Sequence, residues 1–275
     1  MCLLRRGKEQ SIVHQCTKGR GTMSIKSNQK SLFFRISSFA LNTLNSFPPT
    51  KWFAFRMRCL TGFEFHMRTQ VKPDKKIFGS KYGGHCVALQ GLDNTSIVYS
   101  VGLGFDVSFD LELIETYGLT VLAFDPTPKS IEYIHSIEVP AEFKLFDYGM
   151  SGKDGQMTFN PPIDSTHVSF TTTDRPETTN QSIEVEMKAL STIMKENQHQ
   201  EIDILKMDIE GSEYGVIDEI CEKKILVKQI LIEFHHHFPS IPVSHTKKAI
   251  SKLNENGWKV FNVSGNGHEI SFIRD

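Results

Sequence analysis

Acidic side chains and histidines follow three apolar runs of this chain, at positions where they could bind a nucleotide or transfer a proton. A carboxylate at the end of the second strand of a nucleotide-binding unit accepts hydrogen bonds from a ribose diol. Histidine can serve as a general base near neutral pH. The residues concerned are Asp125, Asp208 with Glu210, and Glu233 with His235, His236 and His237.

A glycine turn precedes the first of these acids. The apolar run 97–101 ends in Gly102-Leu103-Gly104, and Asp125 closes the next apolar run. Glycine permits positive φ and close approach of a ligand to the backbone, and the turn amides can hold a carboxylate or phosphate. A dinucleotide fingerprint would carry a third glycine where this chain has Val107. The turn therefore predicts a nucleotide-binding site, but not specifically a dinucleotide site. The alternative is that it is only a tight turn between a strand and a helix.

The acids themselves have structural alternatives. Asp125 could be a surface residue that caps the next helix, but Thr127 is a better candidate for that cap. Asp208 and Glu210 are close enough to raise one pKa for proton transfer or to hold a metal. The alternative for Glu210 is a cap of the helix that begins near Gly211.

The three consecutive histidines have similar alternatives. They could supply a general base, bind a metal together with Glu233 or Asp208, or form a polar loop. Adjacent residues of an extended segment point to opposite sides, so at most two of them share a site. We predict Asp208 and His236 as the catalytic residues and no bound metal.

The elements that must position these residues alternate between strands and helices, which predicts a mostly parallel sheet covered on both faces. The predicted strands are 97–101, 120–124, 143–146, 183–188 (an edge strand), 202–207 and 229–234, with a hairpin of 258–263 and 268–273. The predicted helices are 106–117, a short one after Thr127, 211–224 and 244–256. The polar segment 160–182 is predicted to be a lid or acceptor loop.

Charge divides the chain into two parts. Residues 1–60 carry +10 and the remaining residues −11 of the net charge of −1. The acidic part argues against a nucleic-acid groove. We predict a basic, disordered or targeting segment at 1–60 and one domain at 61–275. The apolar stretch 31–47 is too short and too polar to span a bilayer. Five scattered cysteines without a CxxC pair fit a reducing compartment, most simply the cytoplasm, with an organelle as the alternative.

Several short motifs, in this order and spacing, resemble the FkbM family of S-adenosylmethionine-dependent methyltransferases. They are FGSKYGG at 78–84, YSVGLGFDVSFD at 99–110, FDPTP at 124–128, LKMDIEGSEY at 205–214 and EFHH at 233–236. The resemblance extends from about residue 77 to the end of the chain. One departure is the segment 169–171, Ser-Phe-Thr, where many relatives carry a central histidine.

This resemblance implies a fold, a cofactor and roles for individual residues. The fold is an α/β, Rossmann-like class I methyltransferase sheet of about seven strands, mostly parallel, with a C-terminal antiparallel hairpin. The cofactor is S-adenosylmethionine. The implied cofactor-binding residues are Gly102 and Gly104 at the methionine part, Phe105 beside them, Asp125 at the ribose, Tyr148, Gly149 and Met150 along the adenine, and Asp208 beside the sulfonium.

The implied reaction is methylation of a hydroxyl on a small molecule or glycan. Two alternatives share the glycine turn and the acid: a nicotinamide-dependent oxidoreductase, and a methyltransferase-like domain that binds without turnover. The oligomeric state cannot be inferred from the sequence.

Overall fold

The computed structural model describes residues 56–57, 59–61, 64–159, 182–236, 238 and 241–274, all within one compact unit that spans 55–275. Most of the predicted basic segment 1–60, residues 160–181 of the predicted acceptor loop with the segment 169–171, and His237 lie outside the described residues. Within the described part, no helix has both the length and the apolar character needed to cross a membrane.

A seven-stranded sheet forms the centre of the unit, in the order β11-β12-β10-β9-β3-β4-β5. The strands β3, β4, β5, β9 and β10 are parallel, and β12 pairs antiparallel with both β10 and β11. Their bounds are β3 Ile97–Val101, β4 Thr120–Phe124, β5 Phe143–Phe146, β9 Glu201–Met207, β10 Leu226–Glu233, β11 Lys259–Val263 and β12 Glu269–Ile273. This topology confirms the predicted class I methyltransferase sheet, including its C-terminal hairpin.

The helices that pack around this sheet and have defined bounds are α1 Ser108–Tyr117, α2 Pro128–His135, α3 Leu190–Glu196, α4 Glu213–Lys223 and α5 Val243–Glu255. The sheet is buried on both faces, because successive side chains of one strand enter different cores. Leu205 and Met207 of β9 belong to one apolar core with α3, α4 and α5, whereas Ile204 belongs to the core under α1.

Two smaller sheets flank the main one. A two-stranded sheet joins β1 Lys75–Phe78 to β2 His85–Ala88, and a three-stranded sheet has the order β6-β8-β7. The bounds of its strands are β6 Gly149–Ser151, β7 Gly155–Phe159 and β8 Ile183–Ala189. The prediction of an edge strand at 183–188 is wrong, because β8 pairs with a neighbour on each side.

Helix ends follow the predictions in part. Gly118 ends α1 in the left-handed region, with its N–H bonded to the carbonyl of Ile114, as predicted. Thr127 occupies the N-cap position of α2, but the prediction of a side-chain cap is wrong, because its hydroxyl bonds to Asp125 and Ser130 instead. Glu210 does not cap the next helix either, since α4 begins at Glu213.

Candidate active site

The main cavity lies at the carboxyl ends of the parallel strands, where the strand order reverses between β3 and β9. Ligands of open α/β sheets bind at this position. The cavity has a volume of about 590 Å³. Its wall includes Gly102, Leu103, Gly104 and Phe105 after β3, Asp125 and Pro126 after β4, Gly149 and Met150, Lys206, Asp208 and Glu210, and Glu233 with Asn266 and Glu269.

Gly102 is required by the protein backbone itself. Its φ is +77°, and a Cβ at this position would lie 1.7 Å from the carbonyl oxygen of Asp208. The turn after β3 and the loop after β9 therefore touch at the floor of the cavity. The sequence predicted a glycine here so that a ligand could approach the backbone. The structure shows a second need for glycine, which is the close contact between these two loops.

Asp125 fastens the glycine turn from the end of β4. Its Oδ2 accepts hydrogen bonds from the N–H groups of Leu103 at 2.9 Å and Gly104 at 3.2 Å. Its Oδ1 accepts from the N–H and the hydroxyl of Thr127 at 2.9 and 2.5 Å. The side chain is a cavity-lining acid, yet only 4% of the residue is exposed. Its predicted contact with a ribose stays a prediction.

Asp208 lies opposite the glycine turn and close to His235. Its Oδ1 is 3.4 Å from His235 Nε2, and Glu210 Oε2 is 3.7 Å from the same nitrogen. Burial alone would raise the pKa of Asp208, but the hydrogen bond to His235 and the charge of Lys206 outweigh it and lower this pKa. Asp208 thus carries its negative charge beside the cavity.

Glu233 and Glu269 face each other across β10 and β12 on the same wall. Burial, together with the negative charge of Asp208, raises the pKa of Glu233 to about 7 and also raises that of Glu269. Neither carboxylate has a hydrogen bond or ion pair with any residue that the structure describes. Near neutral pH Glu233 is therefore partly protonated, and the ionised Asp208 supplies negative charge at this end of the cavity.

Lys206 supplies a positive charge beneath the glycine turn. Its ammonium donates to the carbonyls of Val101, at 3.4 Å, and Gly102. Burial raises the pKa of nearby Asp110 to about 6, although the charge of Lys206 opposes this shift. The lysine thus holds the backbone of the turn from below while Asp125 holds it from the side.

His236, predicted as a catalytic residue, points away from the cavity. It is buried, and its Nε2 lies 3.0 Å from Glu64 Oε2, while Glu64 Oε1 lies 2.9 Å from His268 Nε2. Burial alone would raise the pKa of Glu64, but the hydrogen bonds to His236 and His268 outweigh this effect and lower the pKa to about 2. His235 and His236 thus belong to two separate groups, as the extended-segment argument predicted. The position of His236 gives no support to a role as base.

The other predicted cofactor-binding residues lie at different distances from the cavity. Gly149 and Met150 line it, and Phe105 lines it with 43% of the residue exposed and its ring against Tyr133. Tyr148 is buried instead against Phe124 and Phe146, 5.6 Å between ring centroids in each case, and does not line the cavity.

Sequence reasoning missed Lys206 and Glu269 as site residues. A lysine inside an apolar strand is a readable signal, because a buried ammonium needs acceptors. Glu269 gave no such signal, since its place opposite Glu233 depends on the register of β12 against β10.

His85 makes folding sensitive to mild acid. Burial and the charge of Lys206 lower its pKa to about 3, so the folded state resists protonation that the unfolded chain accepts below 6.5. Stability is therefore full above pH 6.5 and falls as the pH drops. Between pH 7 and pH 5, protonation of this group in the unfolded chain lowers the free energy of unfolding by about 2 kcal/mol.

Over this pH interval, we expect the free energy of unfolding of His85→Gln, measured with urea, to fall by about 2 kcal/mol less than that of the wild type. Exposed His66→Gln is the control, and equal pH slopes for all three proteins would contradict the assignment.

Comparison with known proteins identifies the family. Residues 85–260 match the family model described as the methyltransferase FkbM domain. This is more than half of the chain, so the chain belongs to the FkbM methyltransferase family. The match confirms the predicted family and, with it, S-adenosylmethionine as the cofactor. It also leaves the nicotinamide-dependent alternative without support.

Individual relatives are more distant. The chain is 26% identical over 159 residues to the human protein named probable methyltransferase-like protein 24, and 24% identical over 158 residues to the protein of that name from Rattus norvegicus. Each alignment covers 57% of this chain and 37% of the relative. A precorrin-6y C5,15-methyltransferase from Geobacter metallireducens matches with 12% identity and a TM-score of 0.38, over 67% of this chain and 82% of its own. A match at that TM-score supports no inference about this chain.

The cavity fits S-adenosylmethionine by size and by charge. Small-molecule and cofactor sites have volumes of roughly 300–1,000 Å³, and this cavity lies within that range. A sulfonium is cationic, and the ionised carboxylate of Asp208 lies at one end of the lining.

Proposed function

We propose that this protein transfers a methyl group from S-adenosylmethionine to a hydroxyl of a small molecule or glycan. The main support for this proposal is the cavity at the β3–β9 switch point. The glycine turn and Asp125 lie on one side of it, and Asp208 and Glu233 lie on the other. Family membership supports methyl transfer as the reaction class.

The residues divide into two roles. Gly102, Gly104 and Asp125 would hold the adenosine and methionine parts, and Asp208 would face the sulfonium. When bound, S-adenosylmethionine supplies a methyl group already activated for in-line displacement, so alignment of the acceptor is the main task of the protein. The carboxylates of Asp208 and Glu233 reach the cavity and can accept a hydrogen bond from the acceptor hydroxyl.

Production of S-adenosylhomocysteine tests this proposal. The full chain is incubated with S-adenosylmethionine and with panels of glycans, small hydroxylated compounds and small amines. Mass spectrometry follows the demethylated product and the methylated acceptor. We expect turnover with hydroxylated acceptors, and we expect Asp208→Asn to reduce it by about 100-fold or more while the protein stays folded.

Glu196→Gln is a suitable control, because Glu196 is exposed and pairs with Lys188 outside the cavity. Transfer to amines but not hydroxyls would overturn the acceptor class. Binding of S-adenosylmethionine without transfer to any acceptor would instead identify a methyltransferase-like binding domain.

A further inference from the structure

We propose that Asp208, Glu210 and His235 form a binding site for a divalent transition-metal ion at the wall of the cavity. Their carboxylate oxygens and the imidazole Nε2 all lie within 4.8 Å of one another. Two carboxylates and one imidazole form a donor set suited to ions such as Mn²⁺, Fe²⁺ or Zn²⁺. The binding of the ion is independent of the proposed function, whereas its role in the reaction rests on that function.

The spacing of the donor atoms fits a shared ion. Ligand atoms about 2.1 Å from one ion, at angles of 90–110°, are about 3.0–3.4 Å apart. His235 Nε2 lies 3.4 Å from Asp208 Oδ1 and 3.7 Å from Glu210 Oε2. Movements of a few tenths of an ångström would bring each oxygen to this spacing from the imidazole nitrogen, and the two oxygens lie within 4.8 Å of each other.

The buried carboxylate of Glu213 supports the histidine from behind. Its Oε1 lies 3.3 Å from His235 Nδ1 and accepts the backbone N–H of His235 at 3.0 Å. Its Oε2 accepts the N–H of Gly211 at 2.8 Å, and the residue has 0% exposure. A histidine that binds a metal typically donates its second ring N–H to such a carboxylate, which orients the ring. Here the arrangement directs Nε2 toward Asp208 and Glu210.

The surroundings favour a cation and leave it accessible. Asp208 and Glu210 line the cavity, as do Glu233 and Glu269, and the lysines on the same wall are Lys81 and Lys206. An ion at the first two carboxylates would be reached from the cavity by an oxygen of the acceptor. A coordinated hydroxyl loses its proton more readily, so the ion would add to the chemistry that we propose for this site.

A second group of similar composition allows a matched comparison. Glu64, His236 and His268 also bring three donor atoms within 4.8 Å. In this group, however, His236 Nδ1 is buried without a hydrogen-bond partner in the described structure. A metal-binding histidine would be expected to have a partner at that atom. The two groups therefore differ in the support given to the histidine, and only the first is proposed as a site.

Calorimetric titration of the full chain with MnCl₂, without cofactor or acceptor, tests the site. We expect one Mn²⁺ per chain, with binding weakened by about 100-fold in Glu210→Gln and in His235→Gln. Glu213→Gln should weaken it by about 10- to 100-fold. Glu64→Gln should bind as the wild type does. Circular dichroism checks that each variant is folded. If His235→Gln does not fold, the test depends on Glu210→Gln, which is a nearly isosteric change.

The possible results separate this site from the proposed function. Mn²⁺ binding that depends on Glu210 and His235 supports the site even if no methyl transfer is found. Absence of binding to the wild type would overturn it, whatever the methyl-transfer assay gives. Binding that is lost in Glu64→Gln and kept in His235→Gln would also overturn it, because the ion would then belong to the second group.

Discussion

Replacement of Gly102 by alanine is expected to destabilise the protein by more than about 3 kcal/mol or to prevent folding. The left-handed φ of +77° costs an L-residue about 1–2 kcal/mol, and the new Cβ would lie 1.7 Å from the carbonyl oxygen of Asp208. That contact can be relieved only if the turn after β3 separates from the loop after β9. Urea unfolding followed by circular dichroism measures the loss.

Gly91 provides a matched control for this prediction. It has the same φ of +77°, but a Cβ there would meet no atom within 4 Å. Gly91→Ala should therefore lower the free energy of unfolding only by the cost of the left-handed backbone conformation, about 1–2 kcal/mol. Equal losses for the two variants would show that the contact with Asp208 does not govern the turn.

Asp125→Asn is expected to weaken S-adenosylmethionine binding by about 100-fold and to destabilise the protein by about 2–3 kcal/mol. The carboxylate accepts four hydrogen bonds, two of them from the N–H groups of the glycine turn. An amide group cannot accept all four, and hydrogen bonds to a charged group contribute about 1.5–3 kcal/mol. The turn would lose its fixed shape and the cofactor its binding surface. Calorimetry and urea unfolding measure the two effects.

Asp154→Asn is the corresponding control. Asp154 also accepts bonds from a backbone N–H, that of Ala189, and from the Thr192 hydroxyl, but it is exposed and does not line the cavity. Its replacement should leave cofactor binding unchanged. If Asp125→Asn weakens binding with no loss of stability, Asp125 acts on the ligand alone. If it changes neither, the assigned role of Asp125 is wrong.

The sequence predicted most of the main sheet because each strand is an apolar run that ends in a glycine or an acid. The bounds 97–101, 120–124 and 143–146 agree with the structure. The flanking strands β1, β2, β6 and β7 were missed, since they are short and their residues alternate weakly. The status of β8 as an inner strand depends on neighbours that are distant in the sequence.

The site was predictable where a residue follows directly from its strand. Gly102, Asp125 and Asp208 all come to the cavity for this reason. His236 was predicted as a catalytic residue but contacts Glu64, because sequence position cannot tell which of two adjacent histidines faces Asp208 and Glu210. Glu64, its partner, is 172 residues away in the sequence. Such a contact depends on tertiary packing and cannot be derived from local pattern.

The central claim is that the cavity beside Gly102 binds S-adenosylmethionine. Calorimetric titration of the wild-type full chain with S-adenosylmethionine, and separately with NAD⁺, tests it most directly. We expect one S-adenosylmethionine site per chain with a micromolar dissociation constant, and no measurable heat with NAD⁺. Absence of S-adenosylmethionine binding by a folded protein, or NAD⁺ binding of equal strength, would contradict the account.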